Sequence, residues 1–552
     1  MKLELIEKIQ IAIKTAGYKI PAGFSLEQSP KPEMGDFATN IAMVIASTEK
    51  KNPREVAEKI KAELEKYDEI IKVEIAGPGF INITLKLDSY LVELAKIVEQ
   101  KENYGRAKIG QGKKVNVEYI SANPTGPLHI GNARGGPIGE ALANLFSFQG
   151  YEVVREFYVN DIGGQADRFG KSLLYWYQIK SDSTLIFPED GYPGEHIKEM
   201  SREIQAENKL KVESLKSKEE QIIFFRDEGI KKVIEGIKSD VALLNIKFDI
   251  WTNQSKIEEG KKSHEIIQNL KDKAATVEKD HALWFKGQES GVRSSEIEDK
   301  DNVLVKSDGQ LTYFTDDIAY HQDKIDRGFS KLIDIWGANH SGHVPRMKAA
   351  LAALGNKAEI LEIILYQFVR LKRSGVTASM SKRAGDFVTL RSVIEGGVVP
   401  DAFKYFILAQ NPNTPFDFDV DLAADTSEKN PVFYIKYAHA RIASILRKVG
   451  DESTLGEADL KLLKNPKEIS LYKELVKFPE LIEDISEDFQ IQALPHFTYR
   501  IAGLFHDFYS SCRVIGAETK ELEQARLSLI LATKYVLKNA LYILGIETPE
   551  HM

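Results

Sequence analysis

The chain has 552 residues, a formal net charge of −8, 43% hydrophobic residues and 28% charged residues. This length predicts three or four domains with ample core. The acidic balance excludes a protein that coats nucleic acid in general, although a local basic face could still bind RNA. The single cysteine, Cys512, excludes an internal disulfide and a cysteine-rich zinc site.

Residues 1–108 have the pattern of an α+β unit. Residues 3–16 and 38–66 are helical in period, and strand-like runs at 71–75 and 80–85 flank the turn Gly77-Pro78-Gly79. The opening helix is amphipathic rather than a signal peptide, and no stretch approaches the apolar length of a membrane span. We therefore expect a cytoplasmic protein without a membrane partner.

Residues 115–150 predict the first strand and the helix of a βαβ unit, with 151–159 as its second strand. Alternating apolar residues open the stretch, a polar turn follows at 121–127, and a helix-period run ends at Gly150. Such a unit predicts a parallel sheet of the Rossmann-like, nucleotide-binding type.

The first strand-to-helix turn of this unit carries the sequence His129-Ile130-Gly131-Asn132. Unpaired N–H groups at a helix start suit a phosphate, and His129 can donate a hydrogen bond to a phosphate oxygen. Gly131 would let a flat base approach the backbone. For this motif alone, a helix start with a chance histidine is an equally good interpretation.

A long segment separates this unit from the rest of the predicted sheet. Residues 171–302 are rich in Lys and Glu and largely helical in period, which predicts an insertion with a solvated surface. The sheet is expected to resume with strands at 302–305 and 311–314, joined by a hairpin turn at 307–309. Thr315 is a plausible N-cap for the helix that begins there.

Two later turns carry polar residues that could meet a nucleotide. A strand at 331–336 ends in a turn with His340 and His343, and a nucleotide pocket is favoured over a metal site because no third ligand of fitting spacing lies nearby. A strand at 361–369 precedes a basic loop with Lys382 and Arg383. Such a loop could close over a triphosphate and neutralise charge as pyrophosphate leaves, although exposed basic loops are frequent.

Beyond Leu390 the chain is almost wholly helical in period. Residues 391–429 predict a connecting helical segment, and residues 430–552 predict a bundle whose first helix carries basic side chains. By itself such a bundle is more often a packing or dimerisation unit than a nucleic-acid site.

Several segments taken together resemble one family. The run SANPTGPLHIGNARG at 121–135 resembles the HIGH-motif region of class I aminoacyl-tRNA synthetases, and its ANPTGPLH part is similar to arginyl-tRNA synthetases. Residues 158–165 are similar to that family's YVND-x-G-x-Q signature, and 379–382 resemble the KMSK loop. Two departures are visible, because Asn132 replaces the last His of the first motif and Ser379 replaces the first Lys of the second. Lys372 and Arg373 are candidates for the missing charge.

The resemblance implies an α/β protein with a Rossmann-like nucleotide-binding catalytic domain, an N-terminal α+β domain and a C-terminal all-α helical bundle. The implied domains are 1–108, 109–390 with the insertion at about 171–302, a connecting segment at 391–429, and 430–552. In the family, the N-terminal domain contacts the tRNA at the D-loop and the helical bundle binds the anticodon.

The resemblance also implies an activity. Arginyl-tRNA synthetases activate L-arginine with ATP to arginyl-adenylate, then transfer the arginyl group to the 3′ end of tRNA(Arg) and release AMP. Members of the family need tRNA for the activation step. We expect Mg²⁺ to accompany ATP through phosphate oxygens and water, without a structural metal in the protein, and we expect a monomer.

The family's functional residues match positions of this sequence. The implied catalytic residues are His129, Asn132 and Lys382. The implied ATP-binding residues are these three together with Gly131, His340, Met380 and Arg383. The implied arginine-binding residues are Glu118, Asn123, His129, Tyr313 and Asp317, and the implied tRNA-binding residues are Tyr437, His439 and Arg441. A guanidinium presents five donors in a fixed fork, which carboxylates such as Glu118 and Asp317 meet best.

Two other functions remain open at this point. One is a different class I nucleotidyl or aminoacyl transferase, which shares only the His129 turn. The other is a non-catalytic RNA-binding paralogue, suggested by Asn132 and Ser379. Both phosphate motifs survive in part beside an intact amino-acid pocket, which argues against the second alternative.

Overall fold

The computed structural model describes residues 1–29, 31–179, 183–287, 302–378, 388–450 and 458–552. The predicted site residues Met380, Lys382 and Arg383 lie outside these ranges, so their roles stay predictions. Within the described ranges, none of the helices combines the length and the apolar character that a membrane span requires.

The N-terminal part is the predicted α+β unit. Its elements are α1 (Lys2–Thr15), β1 (Leu26–Gln28), β2 (Phe37–Thr39), α2 (Ile41–Glu49), α3 (Pro53–Leu64), β3 (Ile70–Ala76), β4 (Phe80–Leu85) and α4 (Leu87–Gln100). The strands form an antiparallel sheet in the order β1-β2-β4-β3. The start of α3 shows its local cause: Asn52 caps the helix by accepting from the Arg54 N–H, and Pro53 occupies the first helical position.

The central part alternates strands and helices. Its elements are β5 (Lys114–Glu118), α5 (Ile130–Ala133), α6 (Gly135–Phe148), β6 (Glu152–Val159), α7 (Gly164–Gln178), α8 (Glu195–Glu207), α9 (Lys209–Ser214), α10 (Lys218–Ala242), β7 (Ile250–Asn253), α11 (Gln254–Glu259), α12 (Lys262–Asp272), β8 (Thr276–Lys279), β9 (Ala282–Phe285), β10 (Val303–Val305), α13 (Tyr313–Asp326), β11 (Lys331–Gly337), α14 (His343–Ala353), β12 (Leu361–Tyr366), β13 (Val369–Arg373) and β14 (Val376–Ala378).

Five of these strands form one parallel sheet in the order β12-β11-β5-β6-β7. The chain proceeds from β5 through β6 to β7 on one side and continues with β11 and β12 on the other. The strand order therefore reverses beside β5, and open α/β sheets bind ligands at such a switch point, outside the carboxyl ends of the strands. The almost wholly buried helix α6 packs closely on the end of β5. Glycine at position 139 allows this approach, because a larger side chain there would collide with the ring of Tyr119, the residue after β5.

The C-terminal part is mainly helical. Its elements are α15 (Leu390–Glu395), α16 (Pro400–Leu408), β15 (Phe416–Asp419), α17 (Val420–Ala424), α18 (Pro431–Val449), α19 (Pro466–Leu475), α20 (Phe478–Asp488), α21 (Ala493–Ser511) and α22 (Lys520–Ile543). Strand β15 pairs in parallel with β13, and β14 pairs with the other side of β13. An ion pair of 2.7 Å between Lys473 and Asp36 joins the bundle to the N-terminal part.

The structure corrects the predicted helical insertion at 171–302. Its strand β7 is the edge strand of the parallel sheet beside β6, and β8 and β9 form an antiparallel sheet with β10. Strand β7 has only four residues between two helices, so its own sequence period is too short to reveal it. The segment therefore contributes to the sheet as well as to the surface.

The predictions around residue 311 need a second correction. The turn at 307–309 is confirmed, because Gly309 N–H donates to the Lys306 carbonyl at 2.9 Å. However, β10 pairs with β9 outside the parallel sheet, and only Leu311 makes a bridge before α13 begins at Tyr313. The N-cap position of α13 is occupied by Thr312 and not by the predicted Thr315. Thr315 lies inside the helix, where its buried hydroxyl donates to the Leu304 carbonyl at 2.7 Å.

Candidate active site

A cavity of about 570 Å³ lies at the carboxyl ends of β5, β6 and β11, where the strand order reverses. It brings together eight of the residues that the sequence singled out, although they come from three separate stretches of chain. These residues are Glu118, Asn123, His129, Asn132, Tyr313, Asp317, His340 and His343. The sheet explains this convergence, because the ends of parallel strands meet at one edge.

The turn with His129 has a defined hydrogen-bond pattern. His129 is the N-cap of α5, and its Nδ1 accepts from the Asn132 backbone N–H at 3.2 Å. Since Nδ1 accepts, the proton of the neutral ring sits on Nε2, which makes that atom a donor. A Cβ on Gly131 would lie 3.1 Å from His129 Nδ1. Gly131 therefore leaves room for the His129 ring.

Backbone hydrogen bonds join this turn to the chain that follows the basic segment. Ile130 N–H donates to the Val388 carbonyl at 3.0 Å, and Leu390 N–H donates to the Leu128 carbonyl at 2.8 Å. Val388 is the first residue described after the segment with Lys382. The chain from Val388 to Leu390 therefore lies directly beside the His129 turn.

Glu118 lies at the floor of the cavity and is only 5% exposed. One carboxylate oxygen, Oε2, accepts from Lys324 Nζ at 2.5 Å, and the other, Oε1, accepts from the Ser121 hydroxyl at 2.8 Å. Burial raises the pKa of Glu118, and the Lys324 charge opposes this rise. The sequence suggested neither partner.

The backbone after β5 is strained. Ile120 and Ser121 have φ angles of +67° and +36°, and a β-branched residue in the left-handed region is a genuine outlier. The Ser121 hydroxyl donates to Glu118 and accepts from the Tyr158 N–H at 3.1 Å, which holds the turn in place. The turn delivers Asn123 to the cavity, where its Oδ1 accepts from Asn160 Nδ2 at 3.0 Å.

Asp317 is the more accessible carboxylate, with a side chain 33% exposed. It lies one turn after Tyr313 on α13, so both face the cavity. His343 Nε2 lies 2.9 Å from Asp317 Oδ2, and the other ring nitrogen of His343 accepts from Arg346 Nε at 2.8 Å. Arg346 is not among the residues that the sequence predicts for the site. Its three-residue spacing from His343 at the start of a helix was the available signal.

Tyr313 lies at the cavity mouth and is 53% exposed. Its hydroxyl approaches Gly163 in the turn after β6, where a Cβ would lie only 2.6 Å from that oxygen. Gly163 also has a φ of +85°, which disfavours other residues. Only glycine therefore fits beside Tyr313 in this turn.

We expect Gly163→Ala to raise the KM for the ligand of this cavity by about fivefold, which corresponds to about 1 kcal/mol of strain or displacement of Tyr313. Gly164→Ala is the matched control. A Cβ on Gly164 meets its nearest atom, Arg168 Nη1, at an ordinary 3.8 Å, so this variant should behave like the unmodified protein. Equal KM values for the two variants in steady-state kinetics would show that Tyr313 has no such role.

The predicted tRNA-binding residues are not all on the surface. Tyr437 and Arg441 are exposed on α18, where Arg441 Nη1 donates to the Tyr437 hydroxyl at 3.0 Å. The prediction that His439 contacts tRNA is wrong, because its side chain is fully buried and its Nδ1 lies 3.0 Å from the Pro549 carbonyl. The C-terminal end of the chain covers it.

The sequence also matches models of known families. Residues 93–408 match the family "tRNA synthetases class I (R), catalytic domain", and residues 435–552 match "DALR anticodon binding domain". The parallel sheet with its cavity at the switch point and these matches define a class I aminoacyl-tRNA synthetase. Residues 3–85 match "Arginyl tRNA synthetase N terminal domain". The chain belongs to the arginyl-tRNA synthetase family, and its activity is the attachment of arginine to tRNA(Arg).

Individual relatives agree with this assignment. The chain is 43% identical to arginine–tRNA ligase 1 of Halalkalibacterium halodurans, over 100% of this chain and 99% of the relative. It is 41% identical to the arginine–tRNA ligase of Bacillus velezensis, with the same coverage of both chains. The solved structure of Thermus thermophilus arginyl-tRNA synthetase has the same fold, with a TM-score of 0.79 over the whole of both chains at 21% identity. The predicted family and fold class are confirmed.

Proposed function

We propose that the cavity binds L-arginine and ATP side by side and forms arginyl-adenylate, which then reacts with the 3′ end of tRNA(Arg). The observation that carries this proposal is the convergence of Glu118 and Asp317 with the His129 turn in one cavity. Two carboxylates suit a guanidinium, and polar donors at a helix start suit phosphates. One cavity thus offers a place for each substrate.

For arginine, Asp317 accepts hydrogen bonds from the guanidinium at the open side, and Glu118 accepts from it at the floor. Tyr313 packs on the aliphatic stem, while Asn123 and His129 bind the α-amino and carboxylate end. The exposure of Asp317 and the burial of Glu118 support this orientation. The fork of donors on a guanidinium can meet two carboxylates at once.

For ATP, His129 and Asn132 donate to phosphate oxygens, and Gly131 and His340 lie beside the adenosine. The Nε2 proton assigned to His129 supports a donor role for that ring. Met380, Lys382 and Arg383 are proposed to contact the triphosphate. The backbone bonds of Val388 and Leu390 to the His129 turn support a position of this segment near the phosphates.

Among the described residues, no group of three or more His, Cys, Asp or Glu side chains could hold a metal ion. We propose that Mg²⁺ enters with ATP and is coordinated by phosphate oxygens and water, as is usual for this ion. Its charge would reduce the repulsion between the phosphates and the incoming arginine carboxylate.

The chemistry needs orientation and charge neutralisation rather than a protein nucleophile. The arginine carboxylate oxygen forms a bond to the α-phosphorus of ATP as the bond to pyrophosphate breaks. A hydroxyl of the terminal ribose of tRNA then attacks the arginyl carbonyl carbon, loses its proton, and AMP leaves. Donors aimed at the developing phosphate charge stabilise the first step.

The tRNA would contact the N-terminal part and the helical bundle, where Tyr437 and Arg441 offer an exposed aromatic and cationic pair. A base could stack on Tyr437, as bases do on exposed aromatic rings.

We further propose that the enzyme acts as a monomer in the cytoplasm, where translation takes place. Domain divisions at 108, 390 and 429 stay part of this proposal.

The test is ATP–pyrophosphate exchange with a panel of amino acids, with and without tRNA. We expect exchange with arginine only, and only when tRNA is present. Exchange with another amino acid would favour a different class I transferase, and absence of exchange with every amino acid, tRNA present, would favour a non-catalytic paralogue. Either result would overturn the proposal.

Lys382→Ala should lower the rate of arginine activation at least tenfold, about 1.4 kcal/mol of transition-state stabilisation, because a cation near the leaving pyrophosphate is lost. Arginine binding should change little. The exposed Lys357, changed to Ala, serves as a control for loss of a surface charge. Unchanged exchange kinetics in Lys382→Ala would remove this residue from the mechanism.

A further inference from the structure

One face of α13 runs from the cavity mouth to a wholly buried position below its floor. Tyr313, Asp317 and His321 line the cavity, and Lys324 follows them at helical spacing outside the lining. Exposure falls from 53% for Tyr313 to 2% for His321 and 0% for Lys324. The helix thus connects the accessible carboxylate to a buried cation.

Lys324 lies behind Glu118 rather than in the cavity. Its Nζ donates to Glu118 Oε2 at 2.5 Å and to Asp334 Oδ1 on β11 at 3.1 Å, and it lies 4.4 Å from the centre of the Tyr320 ring. Glu118 is a cavity-lining residue, whereas Lys324 and Asp334 are not part of the lining. Lys324 therefore supports the floor from the protein side.

His321 completes this cluster. Its Nε2 lies 2.7 Å from Asp334 Oδ2, and its Nδ1 lies 2.6 Å from the Asp317 backbone carbonyl. Lys324 and His321 together hold the pKa of Asp334 below its ordinary value despite its burial, so this carboxylate is ionised. Both ring nitrogens then face acceptors, and only the imidazolium form of His321 can donate to both. His321 thereby ties Asp334 to the backbone of Asp317.

The cluster balances two cations, Lys324 and His321, against two carboxylates, Glu118 and Asp334. A buried carboxylate without a cation takes up a proton, because desolvation penalises its charged form. A protonated Glu118 would offer a guanidinium a much weaker acceptor. Lys324 also fixes which oxygen of Glu118 faces inward, while Ser121 binds the other oxygen.

We infer that Lys324, oriented by Asp334 and His321, is a positioning residue for arginine recognition, since it keeps the Glu118 carboxylate charged and aimed at the guanidinium. This inference rests on the proposed binding of arginine in this cavity. It goes beyond that proposal because Lys324 and Asp334 lie outside the cavity lining, and Lys324 acts through Glu118 rather than by touching either substrate.

The test compares Lys324→Met with Lys324→Arg in ATP–pyrophosphate exchange, with tRNA present, and measures KM for arginine and for ATP separately. We expect Lys324→Met to raise the arginine KM at least about tenfold, with the ATP KM within about twofold of its original value, because a charged hydrogen bond is lost at one subsite only. Lys324→Arg should restore most of the arginine affinity, since it keeps the cation.

Lys404→Met is the matched control. Lys404 is 1% exposed and pairs with Asp401 at 2.8 Å in the C-terminal part, so its loss also removes a buried ion pair. It should lower the melting temperature and leave both KM values unchanged. A purely structural role of Lys324 would give the same result as this control, or would raise both KM values together.

A double variant tests whether Lys324 acts through Glu118. If it does, Glu118→Gln with Lys324→Met should have the arginine KM of Glu118→Gln alone, within about twofold. Full additivity of the two effects would overturn the inference.

If Lys324→Met does not fold, Asp334→Asn replaces it, with an expected rise of about threefold in arginine KM only. An unchanged arginine KM in Asp334→Asn would then overturn the inference.

These outcomes separate the inference from the function on which it rests. If Glu118→Gln and Asp317→Asn both leave the arginine KM unchanged, the assignment of arginine to this cavity fails. If they raise it and Lys324→Met does not, only the positioning role of Lys324 fails.

Discussion

Replacing Asp317 by asparagine is expected to raise the KM for arginine by between about tenfold and about 150-fold. The change removes the charge from the accessible carboxylate of the cavity, and a hydrogen bond to a charged group contributes about 1.5–3 kcal/mol. The KM for ATP should stay within about twofold, because Asp317 is not among the residues proposed to contact ATP. Aminoacylation kinetics with each substrate varied in turn would measure both values.

Asp326→Asn is the control for Asp317→Asn. Asp326 lies on the same helix but is exposed, and it accepts a hydrogen bond only from Gln322 among the contacts that the structure describes. This variant should keep both KM values. If Asp317→Asn also keeps the arginine KM, the guanidinium does not bind at this carboxylate.

Arg134→Met is expected to cause the largest loss of stability. Arg134 is wholly buried two residues after Asn132, where it donates to the backbone carbonyls of Gln367, Thr414 and Asn411 at 2.6, 3.1 and 3.0 Å. Burial lowers its pKa to about 10. Without the guanidinium, three backbone carbonyls lose their hydrogen-bond donor, and each loss costs about 1 kcal/mol or more. We therefore expect the free energy of unfolding to fall by at least about 3 kcal/mol.

A destabilisation of this size should lower the melting temperature of the catalytic part by about 6 °C or more. It should also slow arginine activation, since Arg134 joins the helix after the His129 turn to the chain around β13 and β15. Arg202→Met, an exposed change on α8, is the control and should melt like the unmodified protein. A melting temperature within 1 °C of the control (roughly the effect of surface changes) would contradict the proposed role of Arg134.

Much of the catalytic fold could be predicted because its local patterns are strong. In residues 115–150, alternating apolar residues indicate a strand, a polar turn follows, and a run of apolar residues with helical period indicates a helix. Gly150 ends that helix with a φ of +85°, a conformation that favours glycine. The cavity residues follow from the same prediction, since the ends of parallel strands meet at one edge.

The features that sequence reasoning missed depend on contacts between distant parts of the chain. His439 stands among basic residues in the sequence, yet the C-terminal segment at Pro549 buries it. The partner of Glu118 is Lys324, which no local period connects to it. Strand β7 is recognisable only through its pairing with β6, because four residues cannot display a strand period.

We propose that Asp317 and Glu118 bind the guanidinium of arginine in the cavity beside the His129 turn. A crystal structure with bound L-arginine tests it most directly. We expect the guanidinium nitrogens within hydrogen-bond distance, about 2.7–3.2 Å, of Asp317 and Glu118 carboxylate oxygens, with the α-carboxylate directed toward Asn123 and His129. Arginine bound with its guanidinium away from both carboxylates, or outside this cavity, would contradict the claim.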